Sequence, residues 1–323
     1  MSVLVISAGL QTTIQDRGRF GYRHLGVGSA GVLDPFSSLI ANRLVGNADG
    51  AAVIEICLGG PTLQFTEAAR IALCGAQIEA SANDRELPGW RRVDLAEGSV
   101  LKLGACRRGA RAYLAVAGGF DIAPVLGSRS TDLRGGFGGL DGRALAAGDV
   151  LAIKASDHRL QNRFEVDRRW IDPAPDLDFI QPTEVRVLAG RDALRESQQL
   201  HAGEWQIDAA SNRQGLRLQG PRLALADPGE RVSEPVMPGT LQLPPDGQPI
   251  LLLADAQTHG GYPRIAHAIA ADLPRLAQLR PGDCLRLLPC TRADAQRLLD
   301  DRRQRLARMA IAIDQVPARS ELR

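Results

Sequence analysis

The sequence predicts a mainly β protein with minor α content, organised as two related β-rich domains in tandem. Three observations carry that prediction. Short apolar runs recur between turn signals such as Gly59-Gly60-Pro61 and Asn83-Asp84, a spacing that suits a β-barrel or sandwich and not βαβ units. Two motifs repeat in the same order: Gly60-Pro61-Thr62-Leu63 with Gly220-Pro221-Arg222-Leu223, and Leu145-Ala146-Ala147-Gly148-Asp149-Val150-Leu151 with Leu279-Arg280-Pro281-Gly282-Asp283-Cys284-Leu285. Between the copies, residues 156–182 lose periodicity and are rich in Asp, Arg and Pro, as an interdomain linker would be. The expected domains are residues 1–157 and 183–290, followed by a C-terminal helix and tail over 291–323.

In chain order, Val3 to Ile6 opens as a strand. The glycine- and arginine-rich stretch 15–28 is expected to be irregular, because each glycine raises the entropy cost of ordering. Asp34-Pro35 then starts a helix with Asp34 as N-cap, its apolar face made by Phe36, Leu39, Ile40 and Leu44, its stop at Gly46-Asn47. Strands are expected at 53–58, 70–75, 77–80, 90–95, 99–103, 111–117 and 150–153. In the second half they are expected at 184–188, 205–208, 216–219, 250–254 and 284–288, with a short helix at 192–200. Residues 264–271 are rich in alanine, which favours helix, but Ile265, His267 and Ile269 alternate, which favours strand. Asp272 is placed to cap a helix over 273–279, and Thr291 with Asp294 to cap a C-terminal helix reaching about Met309 before a frayed end.

With 323 residues, 44% of them hydrophobic, the chain can bury a large core. A net charge of +2 supplies no global field for nucleic acid or a membrane surface. No apolar run approaches spanning length, and the N-terminus lacks the basic start of a signal peptide. Cys57, Cys74, Cys106, Cys284 and Cys290 include no Cys-x-x-Cys pair, so they are expected to be buried reduced thiols of a cytoplasmic protein, with no zinc site. Lys102 and Lys154 are the only lysines, which disfavours lysine nucleophiles; the many arginines suit planar recognition of carboxylate or phosphate.

Three polar, glycine-rich segments, 15–31, 127–143 and 239–263, hold Tyr22, Tyr262, Arg17, Arg19, Arg23, Arg129, Arg134 and Arg143. Asn212 and Arg213, beside Gln214-Gly215, add to them. Convergence of these segments would build a concave site for a small anionic molecule. The third segment runs from a Pro-Asp-Gly turn through the apolar run 250–254 into Asp255, Gln257, Thr258 and His259, so it presents polar groups at the end of a buried strand. Asp16, Asp34, Glu55 and Asp255 are the carboxylates available for acid–base work, although Asp34 has a capping role and Asp255 could equally form a turn. His259 could relay a proton or simply be solvated. Phosphate-loop, Gly-x-Ser-x-Gly and His-Glu-x-x-His patterns are absent, and Gly26 to Gly31 fits a dinucleotide fingerprint without the preceding strand that such a site needs.

Taken together, Gln15-Asp-Arg-Gly-Arg-Phe-Gly-Tyr22, Ala41-Asn-Arg-Leu-Val-Gly-Asn47, Gly127-Ser-Arg-Ser-Thr131, the run Gly239 to Ile250, Gln257-Thr258 with Gly260-Gly-Tyr-Pro263, and Ala271-Asp-Leu-Pro274 with Gln278 to Asp283 resemble the 5-oxoprolinase C-subunit family. Its members are also described as allophanate hydrolase subunit 2 or biotin-dependent carboxyltransferase-like proteins. The resemblance spans about residues 8–288. It implies two cyclophilin-like β-barrel domains in tandem. It also implies a chain that works with the A and B subunits of 5-oxoprolinase, the B subunit being homologous to it, to open 5-oxoproline to glutamate using ATP shared with those partners. Two alternatives follow from other members of the family. One is carboxyl transfer from a biotin carrier to a urea-like substrate; the other is a non-enzymatic regulator that binds a kinase-inhibitor-like homologue of the B subunit.

On the main reading, Asp16, Arg17 and Arg129 form the catalytic set, with Asp16 in acid–base or arginine-orienting work. Arg17, Arg129 and Arg213 would clamp anions. Gln242, Gln257 and Thr258 would hydrogen-bond an amide or carboxylate, with Tyr22, Gly260, Gly261 and Tyr262 completing the substrate site. The sequence departs from the family pattern at Gly28, Ala30, Gln214, Leu216, Pro235 and His259, where Pro, Ser, Met, Tyr, Gly and Thr are usual.

Overall fold

The computed structural model describes residues 1–155, 162–174, 176–227, 229 and 231–314. Residues 156–161 and 175 of the expected linker, and the expected frayed end from 315, lie outside the described residues. The fold is mainly β with few helices and divides into two compact units, each discontinuous in sequence. The first comprises Met1–Gly18, Asp34–Leu177 and the chain from Arg303; the second comprises Arg19–Leu33 and Asp178–Arg302.

The first unit is a ten-stranded sheet. Its main path runs Glu165–Val166, Arg92–Leu95, Ala69–Ala82, Val100–Val116, Thr62–Phe65, Ser2–Ser7, Val150–Ala152. Val53–Cys57 also pairs with Val100–Val116, and Gln11–Gln15 pairs with Val53–Cys57. Inward residues such as Val5, Ile54, Leu63, Ile71, Leu101 and Leu114 make the core.

The expected strands 70–75 and 77–80 are one strand, Ala69–Ala82, and 99–103 with 111–117 are one strand, Val100–Val116. The glycines that resemble breaks in the sequence are bends within continuous strands. At Gly75 the register slips and φ is +99°, a conformation that disfavours side chains. A Cβ there would lie 2.4 Å from the Arg111 carbonyl oxygen. Gly75→Ala is therefore expected to lower the stability of this unit by about 2 kcal/mol, read as a lower urea midpoint at unchanged m.

The expected linker also contributes structure, because Glu165 and Val166 pair with Asp94 and Val93. The helix Pro35–Leu44 starts as expected, with Asp34 Oδ1 accepting from the Ser37 N–H at 3.0 Å and Oδ2 from the Ser37 hydroxyl at 2.5 Å.

The second unit is a closed seven-stranded barrel. Around it run Thr183–Ala189, Arg264–Ala268, Thr240–Gln242, Ile250–Leu252, Gly215–Gln219, Glu204–Ile207 and Cys284–Pro289, which pairs parallel with Thr183–Ala189. Residues alternate in and out: Trp205 and Ile207 are buried while Glu204 and Gln206 are exposed. Trp205, Leu218, Leu241, Leu251, Leu285 and Leu287 fill the interior. Residues 264–268 are a strand, as their alternation indicated.

Two expected helices shrink because their first carboxylates are taken by arginines. Asp192 accepts from the Arg264 N–H at 2.8 Å and from Arg231 Nε at 2.9 Å, and only a 3-10 turn at Ser197–Leu200 remains. Asp272 accepts from Arg186 N–H and Nε at 2.8 and 2.9 Å, makes no cap bond, and is followed by one helical turn, Leu273–Leu276. The C-terminal helix runs further than expected, over Arg292–Asp314, with Thr291 Oγ1 accepting from the Asp294 N–H.

The repeated Gly-Asp motif makes the same turn in both units. Gly148 and Gly282 have φ of +92° and +88°. Asp149 Oδ2 accepts from the Ala146 N–H at 2.7 Å, and Asp283 Oδ2 from the Arg280 N–H at 2.9 Å. Gly148 N–H donates to the Val5 carbonyl and Gly282 N–H to the Ile207 carbonyl, both at 2.8 Å. Five cysteines are free, but only Cys74 and Cys106 are fully buried. Among the described residues no helix is long and apolar enough to cross a membrane.

Candidate functional site

In the first unit, Asp16 follows the strand Gln11–Gln15 and is 7% exposed. Its Oδ1 accepts from the Gly18 N–H at 2.8 Å and from the Ser128 and Ser130 hydroxyls at 2.5 and 2.6 Å. Its Oδ2 accepts from the Arg129 N–H at 2.6 Å. Four donors thus hold the carboxylate, three of them on Oδ1, and the geometry makes it an organiser of the Gly127–Thr131 turn. Thr131 fastens the same turn to the strand, its N–H and hydroxyl reaching the Ile14 carbonyl at 2.9 and 3.0 Å.

Arg129 is thereby held at its backbone, and its Nε donates to the Ile122 carbonyl at 2.9 Å. Arg17 is exposed and lies 3.4 Å from Asp49, a contact weakened by solvent screening. Glu55 accepts from the buried Tyr113 hydroxyl at 2.8 Å. Burial, reinforced by Glu55 and Asp34, pushes the Tyr113 phenol well above its ordinary range.

In the second unit, strand register builds a pocket on the outer face of the barrel. Gly215 pairs with Leu252, Arg217 with Ile250, and Gln242 with Ile250. The inward neighbours Leu216, Leu218, Leu241 and Leu251 are core, so these residues face outward. Together with Gln257, Tyr262, Asn212 and Gln214 they line a pocket of about 170 Å³. Among the described residues no carboxylate lines it.

Its amides are locked. Gln257 Nε2 donates to Gln242 Oε1 at 3.1 Å, and Gln242 Nε2 donates to the Tyr262 carbonyl at 3.2 Å. Gly260 lies against the pair: a Cβ there would stand 2.8 Å from Gln242 Nε2 and 3.2 Å from Gln257 Nε2. A side chain at Gly260 would displace the two amides from this close approach, whereas Gly261 has nearest neighbours at 3.5 Å.

Arg213 is 5% exposed and held through its Nε and one terminal nitrogen. Nε and one terminal nitrogen hold Asp255 at 2.8 and 3.0 Å, and that terminal nitrogen also donates to the Gly31 carbonyl at 2.7 Å. Arg213 and Asp255 neutralise one another, and the pair ties the 19–33 segment to the barrel. Arg23 adds to that tie by donating to the Val236 carbonyl, and burial lowers its pKa. Tyr22 opens the 3-10 turn Arg23–Leu25 and does not line the pocket. Thr258 is buried, its hydroxyl 3.0 Å from His259 Nδ1.

Asp16 meets Arg129 in one unit; Gln242, Gln257, Gly260 and Tyr262 meet in the other. Ile250, Leu252 and Arg217 belong to the pocket but were not selected from sequence. Alternation along 215–219 puts Gly215 and Arg217 on one face, but only the barrel register places that face beside Gln242. Of the departures from the family pattern, Gln214 lines the pocket while Leu216 is core. Pro235 and His259 are cross-strand partners.

Comparison with known proteins places the chain. The family model described as the carboxyltransferase domain, subdomain A and B, matches residues 25–289. The chain is 40% identical to the C subunit of 5-oxoprolinase from Escherichia coli over 95% of its own length and 97% of the relative's. It is 38% identical to the Haemophilus influenzae protein of the same name over 91% and 93%. The crystal structure of Kluyveromyces lactis urea amidolyase superposes with a TM-score of 0.86 at 28% identity, covering 95% of this chain but 20% of that one. The matched residues and the full-length relatives agree: this chain belongs to the 5-oxoprolinase C-subunit family.

Proposed function

We propose that the chain is the C subunit of an ATP-dependent 5-oxoprolinase, an amidohydrolase of the cytoplasm that opens 5-oxoproline to glutamate together with its A and B subunits, the latter homologous to this chain. The full-length relatives support the subunit role. The observation in the structure that carries the substrate side is the pocket walled by Gln242 and Gln257, whose fixed amides suit an amide substrate.

ATP does not fit this pocket. At about 170 Å³ it falls below the roughly 300–1,000 Å³ of sites for drug-sized ligands. ATP, shared with the partner subunits, would bind elsewhere, and the part of this pocket is to bind and orient the small substrate.

Co-expression with the partner subunits and an assay of ATP-dependent glutamate release test the reading; silence with every partner present overturns it. Within an active complex, Gln257→Ala is expected to lower kcat/KM for 5-oxoproline about tenfold, as loss of one amide contact would. A second reading, carboxyl transfer from a biotin carrier to a urea-like substrate, is favoured by the matching carboxyltransferase family model. It predicts bicarbonate-dependent turnover only when a biotin carrier is added.

A further inference from the structure

We propose that Arg217 selects the carboxylate of the bound substrate while Gln257 reads a cis-amide, so that the pocket takes a small lactam carrying a carboxylate. Identifying that lactam acid as 5-oxoproline rests on the function proposed above; the pocket chemistry stands on the residues themselves.

A five-membered lactam holds its amide cis, so its N–H and C=O lie side by side. A primary carboxamide presents the complementary acceptor and donor. Gln257 spends one N–H on Gln242 Oε1, and Gln242 is held in turn by the Tyr262 carbonyl. The other Gln257 N–H and its Oε1 have no partner among the described residues. Gly260 leaves the space that the pair needs.

The charge argument is independent. Arg213, Arg231, Arg264 and Arg186 are each neutralised by Asp255, Asp192, Glu234 and Asp272. Arg217 makes no ion pair among the described residues, and no acidic side chain lines its pocket. Arg217 and Gln242 both pair in register with Ile250, on the strands either side of it. With strands about 4.8 Å apart, the two backbones stand roughly 10 Å apart, a span their side chains close around a small ring. The guanidinium can then engage a carboxylate through two parallel N–H bonds.

The test is calorimetric binding to the full chain of three probes: 5-oxoproline, 2-pyrrolidinone, which lacks the carboxylate, and cyclopentanecarboxylate, which lacks the lactam. The wild type is expected to bind 5-oxoproline at least about tenfold more tightly than either fragment. Arg217→Gln is expected to lower 5-oxoproline affinity about tenfold and leave 2-pyrrolidinone unchanged; Arg217→Lys should restore part of the loss. Gln257→Ala should weaken both lactams and leave cyclopentanecarboxylate unchanged. An Arg217→Gln variant that binds 5-oxoproline like the wild type overturns the assignment, as does absence of 5-oxoproline binding by both the chain and its reconstituted complex. The two readings fail separately. Ring opening with an unchanged KM in Arg217→Gln removes the Arg217 assignment alone, whereas binding with the predicted selectivity but no ring opening supports it and removes the 5-oxoprolinase reading.

Discussion

Arg213→Ala is expected to destabilise the barrel unit by about 3–5 kcal/mol, the range for a buried ion pair that loses one partner. Arg213 and Asp255 are 5% and 9% exposed and meet through two bonds of 2.8 and 3.0 Å. Alanine would leave the Asp255 charge in a dry setting without its counter-ion and deprive the Gly31 carbonyl of a donor at 2.7 Å. The cost comes from that stranded charge and not from attraction lost in the pair, so removing both charges should be cheaper. Arg213→Met combined with Asp255→Leu is expected to lose less than about 2 kcal/mol. Trp205 is fully buried in this unit, whereas Trp90 and Trp170 belong to the other. Urea unfolding followed by Trp205 fluorescence in a Trp90→Phe, Trp170→Phe background therefore reports on the barrel alone. A single-variant loss under about 1 kcal/mol, or a double variant worse than the single, would show that the pair is solvated and the assignment mistaken.

What the sequence made legible was local. The Gly-Asp turn recurs because a positive φ and a carboxylate that accepts from the backbone three residues earlier are both encoded within four residues. The Asp34 cap is legible for the same reason. Strand lengths were not, since Gly75 interrupts the pattern of a continuous strand in the way a turn would. Nor were the helices at Asp192 and Asp272, whose caps were outcompeted by arginines 39 to 86 residues away in sequence. Within the candidate site, Gln242, Gln257 and Tyr262, chosen from one stretch of sequence, do contact one another, because they are close in the chain. Arg213 and Asp16 were selected for their chemistry, yet their partners, at separations of 42 and 112 residues, give both an architectural part. Arg217 was missed because only barrel register reveals which face of its strand borders the amides.

Asp16→Ala is expected to cost the first unit about 3–5 kcal/mol, comparable to the Arg213 change but for the opposite electrostatic reason. Here no cation is lost. A carboxylate that terminates four donors vanishes, and the N–H groups of Gly18 and Arg129 and the hydroxyls of Ser128 and Ser130 lose their acceptor. Water can repair the more open sites but not the fully buried serines. Asp16→Asn keeps the shape and one acceptor oxygen but turns an NH2 toward the donors, so it should fall between alanine and wild type. Because Ser128 and Ser130 share one carboxylate oxygen, Asp16→Ala and the Ser128→Ala, Ser130→Ala pair should be strongly non-additive. Trp90, packed 5.7 Å from Phe36 in the same unit, supplies the fluorescence signal once Trp205 is replaced by Phe. The decisive comparison sets stability beside turnover in the reconstituted complex. An architectural Asp16 loses both together in Asp16→Asn, because the Gly127–Thr131 turn that carries Arg129 loosens as the unit weakens. An Asp16→Asn protein with wild-type stability and no turnover would instead make Asp16 a direct participant in proton transfer, and would require its four donors to give way when substrate binds.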